Sequence, residues 1–396
     1  MANTDAEPRG EFRFLLADKV AFGRGALDRL PGEVDRLGGR RALVITTRSL
    51  VREGQLLARV TQLLGHRHAR TFCDVGQHTP SRDVWAAVEE ARRAAADVVV
   101  SLGGGSAIDC AKLVALALGV DIASVDELNR LAHEHAHSAA DFALPPHIAI
   151  STTLSASEFS SAAGITDEVR LVKGTIRHAA LAPRVVLLDP AATLATPPAL
   201  WLSTGMKALD HAVERVCAPD HQPLVDVVCL EAIRLLRAHL PASLDPTEAA
   251  MAARGCCQLA AWFSFFGWPN VRTGLSHVLG HQIGARFGVP HGYTSCVTLP
   301  PVVRLCYSQQ ARDRLAAIAS ALALPAGQPD AGEAVAQAIE RLVARFAPPS
   351  RLRDLGIPAD ALAGLAAATV HELIASGRTA LGAAPADVER VVQAAW

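Results

Sequence analysis

The chain has 396 residues, half of them apolar and 19% charged, which is enough to bury cores in two or three domains. Its 38 basic and 39 acidic side chains give a formal net charge of -1, so no basic excess is present to neutralise phosphates, and nucleic acid is not an expected partner. Met1 to Gly10 is polar and has no apolar signal core. The longest apolar runs, such as Leu113 to Gly119, are too short to span a bilayer, so no membrane partner is expected. The 8 cysteines contain no CxxC pair and outline neither a zinc knuckle nor a disulfide framework. A cytoplasmic protein with reduced thiols is the expectation.

In chain order, the first half alternates strand and helix signals. Arg41 to Thr46 is a short apolar run that reads as a buried strand, and Val84 to Ala95 reads as a helix. Asp97 to Leu102 is a second apolar strand. After Gly103-Gly104-Gly105-Ser106, a helix runs through Lys112 and Val114 to Leu118. His147 to Ser151 and Val185 to Asp189 read as further strands. This alternation predicts an α/β half with a parallel sheet covered on both faces. From about Pro197 the strand signals stop. Leu224, Val227, Val228, Leu230, Ile233, Leu235 and Leu236 lie on one helical stripe, and Val335, Ala338, Ile339, Leu342 and Val343 on another. The predicted division is an α/β domain over 1–193 and an all-helical domain over 194–396.

Two constellations carry chemistry. A strand, three glycines and a serine, then a helix, make a seat for an anion: glycine admits a phosphate close to the backbone and the helix N-terminus offers unpaired N–H groups. Such turns also serve tight packing, and this one is neither GxGxxG nor a P-loop. The second constellation is Gly274 to Gly292, where His277 and His281 share a helix face and His291 follows the Gly288-Val289-Pro290 break. Lys207 and His211 share a face of another helix by the same spacing. From spacing alone these histidines are either packing residues or a metal or catalytic set. Lysine occurs only at positions 19, 112, 173 and 207, which draws attention to Lys207.

Taken together, these segments resemble the iron-containing (group III) alcohol dehydrogenase family and its maleylacetate reductase branch, of dehydroquinate-synthase-like fold. The resemblance is carried by Val20 to Ala26, GGGSAIDCAK (103–112), TTLSASE (152–158), Asp189-Pro190, GMKALDHAVE (205–214) and HVLGHQIGARFGVPHG (277–292). It implies an N-terminal domain for NAD(H) or NADP(H) and a helical metal and substrate domain, with the reaction in the cleft between them. Gly103, Gly104, Gly105 and Ser106 would hold the pyrophosphate. Asp109 and Lys112 would lie near the nicotinamide ribose, and Thr152, Thr153 and Ser155 match a second cofactor loop. Thr47 stands where many NAD-preferring members carry an acid. Threonine there removes the repulsion of a 2′-phosphate, and Arg48 could attract one, so both cofactors are expected to serve.

One departure bears on mechanism. The family's divalent ion, iron or zinc, is held by an aspartate and three histidines. The histidines correspond to His211, His277 and His291, but the aspartate position is Lys207. Asp210 is no substitute, because adjacent helical positions point about 100° apart. An ammonium in the first coordination shell repels a divalent cation. Either Lys207 polarises the substrate carbonyl without metal, or the three histidines keep an ion and Lys207 faces the substrate. His277 and His281 are the imidazoles expected to act with Lys207, and His281 matches a non-ligand histidine suited to proton relay.

The expected reaction is hydride transfer between nicotinamide and an alcohol, aldehyde or keto-acid. Maleylacetate reduction is the alternative. A dehydroquinate-synthase-type cyclase and a degenerate cofactor-binding protein are the remaining readings. Trp262 to Trp268 is either core or a pocket wall, and Arg272 or Lys173 could clamp a carboxylate. Cys110 and Cys296 read as small apolar packing residues. A homodimer is expected, with Phe12 to Phe22 as the contact.

Overall fold

The computed structural model describes residues 11–396 apart from 15–16, 134–142, 171, 246, 269, 347 and 377–383. The polar stretch 1–10 and part of the Phe12 to Phe22 segment therefore lie outside the described residues. Contacts divide the chain into two units. One holds Leu15–Pro198 and Ala242–Leu259; the other holds the described residues up to Phe14, Ala199–Pro241 and Ala260–Trp396. Against the expected 1–193 and 194–396, the seam falls five residues later and 242–259 joins the sheet unit. The reason is local: Arg254, fully buried, donates to Thr193 O at 2.7 Å, and Gln258 reaches Ser151 O and Asp189 O.

The sheet unit contains β1 (Lys19–Phe22), β2 (Ala42–Ile45), β3 (His68–Phe72), β4 (Val98–Gly103), β5 (His147–Ser151), β6 (Ala162–Asp167), β7 (Val172–Arg177) and β8 (Val185–Leu188). Six strands form a parallel sheet in the order β1-β8-β5-β4-β2-β3, and β6 and β7 form an antiparallel pair. The strands read as continuous apolar runs because both faces are covered. Leu43, Ile45 and Val99 join one core with the Ser81–Arg93 and Gly105–Gly119 helices. Val44, Val98, Val100 and Leu102 join the other with Leu30, Val34, Val60 and Leu64. The expected strands and helices appear with ends shifted by a few residues at most. The sequence reading did not include β3 or the β6–β7 pair. All five β3 residues are only part-buried or exposed, so no apolar run marks it.

Among its described residues, the other unit consists of helices joined by loops, without a strand. Its central helix, Pro198–Cys217, is buried at every position from Gly205 to Cys217. Pro223–His239, Leu275–Phe287, His291–Val302, Ala331–Ala344, Leu362–Ala375 and Pro385–Ala395 are the other long helices lying wholly within it. Proline opens the 198, 223 and 385 helices, where its missing N–H costs nothing. The expected stripes pack inward at Ile233, Leu235, Leu236, Val335, Ile339 and Val343, while Leu224 and Val227 are exposed and Val225, outside the expected stripe, is buried. No described helix is long and apolar enough to cross a membrane.

Candidate active site

In the sheet unit the strand order reverses beside β4: the chain passes from β2 to β3 on one side, then returns through β4 to β5 on the other. In open parallel sheets a ligand crevice forms outside the strand C-termini at such a switch point. β4 ends there in the glycine turn. Gly103 adopts φ 152°, and a Cβ on it would stand 3.0 Å from the Ala107 Cβ; one on Gly104 would meet Thr153 Cγ2 at 2.8 Å. The bend thus requires bare backbone, and it leads into the N-terminus of the Gly105–Gly119 helix. Thr152 N donates to Gly103 O at 3.0 Å, which lays the 152–155 loop beside the turn. The Ser155 hydroxyl is buried without a hydrogen-bond partner among the described residues. Helix-start amides, a backbone cradle and an unspent hydroxyl fit a pyrophosphate.

Asp109 and Lys112 are oriented by the segment that follows, Ser157 to Gly164. Asp109 accepts from Ser157 Oγ and from Gly164 N. Lys112 is fully buried and spends three donor contacts on Ser157 O, Ser160 Oγ and Ala162 O, at 2.7, 3.1 and 2.8 Å. Burial pushes its amine down to about 8, against the charges of Asp109 and Glu158, which hold it up. Lys112 thus braces the Ser157 to Ala162 segment from within the fold. At the end of β2, Thr47 Oγ1 pairs with Ser49 Oγ, and the exposed Arg48 guanidinium binds Asp74 at 2.6 Å.

In the helical unit the lysine and histidines do converge. Lys207, 4% exposed, donates to Asp210 Oδ2 at 2.9 Å, and Ser295 Oγ donates to the same oxygen at 2.6 Å. Asp210 is thus the counter-ion of Lys207. The His211 ring lies 5.3 Å from that of His277, which lies 4.4 Å from His281 and 5.8 Å from His291; His281 stacks on His291 at 4.9 Å. Both nitrogens of the buried His211 lack a hydrogen-bond partner among the described residues. Burial, and then the charge of Lys207, hold its imidazole well below the ordinary histidine range. His281 Nδ1 faces Glu372 Oε1 at 3.0 Å, and Gln282 Nε2 donates to Glu372 Oε2 at 2.7 Å. The carboxylate only accepts, so it places the hydrogen on Nδ1. Among the described residues, no three His, Cys, Asp or Glu side chains stand so as to hold a metal ion together.

Sequence reading missed Ser295, Glu372 and the pairing of Asp210 with Lys207. The last was legible from its spacing of three; the others, 85 and 90 or 91 positions from their partners, had no local signal. The aromatic segment divides. Phe265 packs 4.7 Å from the His211 ring and stacks on Trp268, whereas Phe266 packs on Phe12. Arg272 is exposed and donates to Ser376 O, and Lys173 lies on β7, where its Cε and Asp109 Oδ2 both flank Gly164. Cys110 and Cys296 are buried, and burial raises both thiols, that of Cys296 to about 12, as expected of packing residues.

The family described as iron-containing alcohol dehydrogenase matches residues 17–190, and its C-terminal counterpart matches 201–396. Maleylacetate reductase 2 of Cupriavidus pinatubonensis is 34% identical over 317 residues, covering 80% of this chain and 79% of its own. The 1,3-propanediol dehydrogenase of Citrobacter freundii is 30% identical, covering 87% and 89%. A crystal structure of a 1,3-propanediol oxidoreductase superposes with a TM-score of 0.88 at 26% identity, covering 98% of this chain and 100% of its own. With both halves matched and the glycine turn at the sheet's switch point, the chain belongs to the iron-containing alcohol dehydrogenase family and is an NAD(P)-dependent oxidoreductase.

Proposed function

We propose that the enzyme interconverts an alcohol and a carbonyl compound with NADH or NADPH, and that the Lys207 ammonium supplies the positive charge its metal-dependent relatives draw from an ion. The observation that carries this reading is the buried Lys207–Asp210 pair braced by Ser295. A divalent ion does not fit this donor set, because Lys207 puts an ammonium where the resemblance expects the aspartate ligand. No step therefore passes through a metal.

The glycine turn and the Ser155 hydroxyl hold the dinucleotide, which supplies or accepts the hydride when bound. For reduction, Lys207 directs its charge at the carbonyl oxygen as negative charge develops there. His281 in its imidazolium form gives the proton from Nε2, and Glu372 stabilises that cation from the other side. Oxidation runs these proton movements backward. Phe265 and Trp268 beside His211 support a substrate with an apolar body. Arg48 favours the 2′-phosphate of NADPH, although a phosphate must compete with Asp74 for it.

Consumption of NADH and NADPH is to be followed with propanal, benzaldehyde and maleylacetate. The enzyme is expected to keep its turnover after exhaustive chelation. Lys207→Ala is expected to lower kcat by roughly 100- to 1,000-fold, the cost of removing one oxyanion donor, without weakening dinucleotide binding measured by fluorescence. Loss of turnover on chelation that zinc or iron restores, or an unchanged Lys207→Ala variant, overturns the metal-free mechanism. Turnover confined to maleylacetate replaces the alcohol–carbonyl reading with reduction of its conjugated double bond.

A further inference from the structure

The central helix carries a second buried acid one turn beyond Asp210. Glu214 is 1% exposed, and its carboxylate gathers four donors. Oε1 accepts from Ser276 N at 2.6 Å and Tyr307 Oη at 3.1 Å; Oε2 accepts from Gly274 N at 2.9 Å and His277 N at 3.2 Å. Gly274, Ser276 and His277 are the first turn of the Leu275–Phe287 helix and the residue capping it, where amides have no partner within the helix. No side chain of that segment caps it locally. Glu214 does so from 60 residues away; burial pushes its carboxyl up, and the Gly274 and Ser276 amides it accepts from pull it back down.

The adjacent residue completes the arrangement. Arg215, also fully buried, donates to Ser264 O at 3.0 Å and Val271 O at 3.2 Å. The end of the preceding Met251–Phe265 helix thus meets a guanidinium, and the start of the histidine helix meets a carboxyl group. Tyr307 comes from a turn of π-helix, Val303–Tyr307, a rare geometry that often marks functional positions. The space is closed: a Cβ on Gly274 would stand 2.6 Å from Tyr307 Oη and 3.0 Å from Glu214 Oε1.

We propose that Glu214 is a positioning residue for the reaction, fixing the first turn of the 275–287 helix so that the His277 ring keeps its place beside His211 and His281. The proposal rests on the reading that His277 serves the active site. Glu214 touches the His277 backbone and acts only through it. Replacing the carboxylate by an amide keeps the size but substitutes an NH2 group for one acceptor, which then faces amide donors.

Glu214→Gln, Tyr307→Phe and His277→Ala, alone and with Glu214→Gln combined with His277→Ala, test this with the carbonyl substrate turned over fastest in the panel above. Glu214→Gln is expected to lower kcat by about 10- to 100-fold, the range for supporting partners of site residues, with KM for the dinucleotide within about twofold. Tyr307→Phe, which removes one donor and leaves the amide cap, is expected to lower kcat less. In the His277→Ala background Glu214→Gln should cost no more than about a further twofold, because the group it positions is gone. Hydrogen exchange of the Ser276 and His277 amides should quicken in Glu214→Gln. An unchanged kcat or unchanged exchange in Glu214→Gln overturns the proposal, as does a full multiplicative loss in the double variant. An unimpaired His277→Ala overturns the reading of His277 itself; an impaired His277→Ala with an unimpaired Glu214→Gln overturns only the role of Glu214.

Discussion

His147 begins β5 with its Nε2 2.7 Å from Ser101 Oγ, buried between two strands of the sheet. Burial, assisted by the nearby Lys112 charge, lowers its imidazole to about 3. The folded protein therefore refuses a proton that the unfolded chain takes up near pH 6.5, so the unfolded state binds more protons over that interval. Stability from this residue is complete above about pH 6.5 and is lost as the pH falls toward 3, by an amount on the order of a few kcal/mol. Glu158, raised to about 7 by burial, acts in the opposite sense, losing stability as the pH rises from about 4.5. A difference measurement separates the two. The stability advantage of the unaltered protein over His147→Gln, from urea unfolding, should shrink between pH 7 and pH 4; a difference that stays constant with pH contradicts this account.

Among elements, the central helix and the His291–Val302 helix meet backbone to backbone. A Cβ on Gly292 would lie 2.4 Å from the backbone carbon of Ser203 and 2.5 Å from its oxygen. Backbone cannot swing aside as a flexible side-chain end can, so Gly292→Ala must separate the two helices. The expected cost is roughly 1–3 kcal/mol, the usual range for overpacking, read as a lower urea midpoint; an unchanged midpoint would mean the helices adjust freely. The same contact places His291, immediately before Gly292. Asp210 reinforces it through Ser295 on the same helix, so the acid that balances Lys207 also anchors a histidine-bearing element.

At the scale of the whole molecule, the glycine turn and the lysine–histidine cluster belong to different units of the chain. Perturbations should accordingly separate. Gly103→Ala puts a methyl group 3.0 Å from Ala107 in a backbone conformation that favours glycine. It is expected to weaken NADH and NADPH binding by about tenfold or more, a cost of roughly 1–3 kcal/mol at a strained backbone position. Fluorescence titration checks this; unchanged affinity would show that the turn does not carry the pyrophosphate. Lys207→Ala should do the reverse, sparing affinity and lowering kcat.

Much of this was legible in the chain itself. Apolar runs such as Asp97 to Leu102 announce strands buried on both faces, and the glycines that follow announce a close backbone approach, because each signal depends on neighbours in sequence. The spacing of His277, His281 and His291 was equally readable, whereas the acid expected where Lys207 stands came only from the resemblance to the family. The tertiary structure alone decided which groups those residues meet. Glu372 reaches His281 across 91 positions, Ser295 reaches Asp210 across 85, and Lys112 turns into the fold to hold a loop. Hydrogen bonds and close packing act over a few ångströms in space, and no short-range pattern encodes which distant segment will supply the partner.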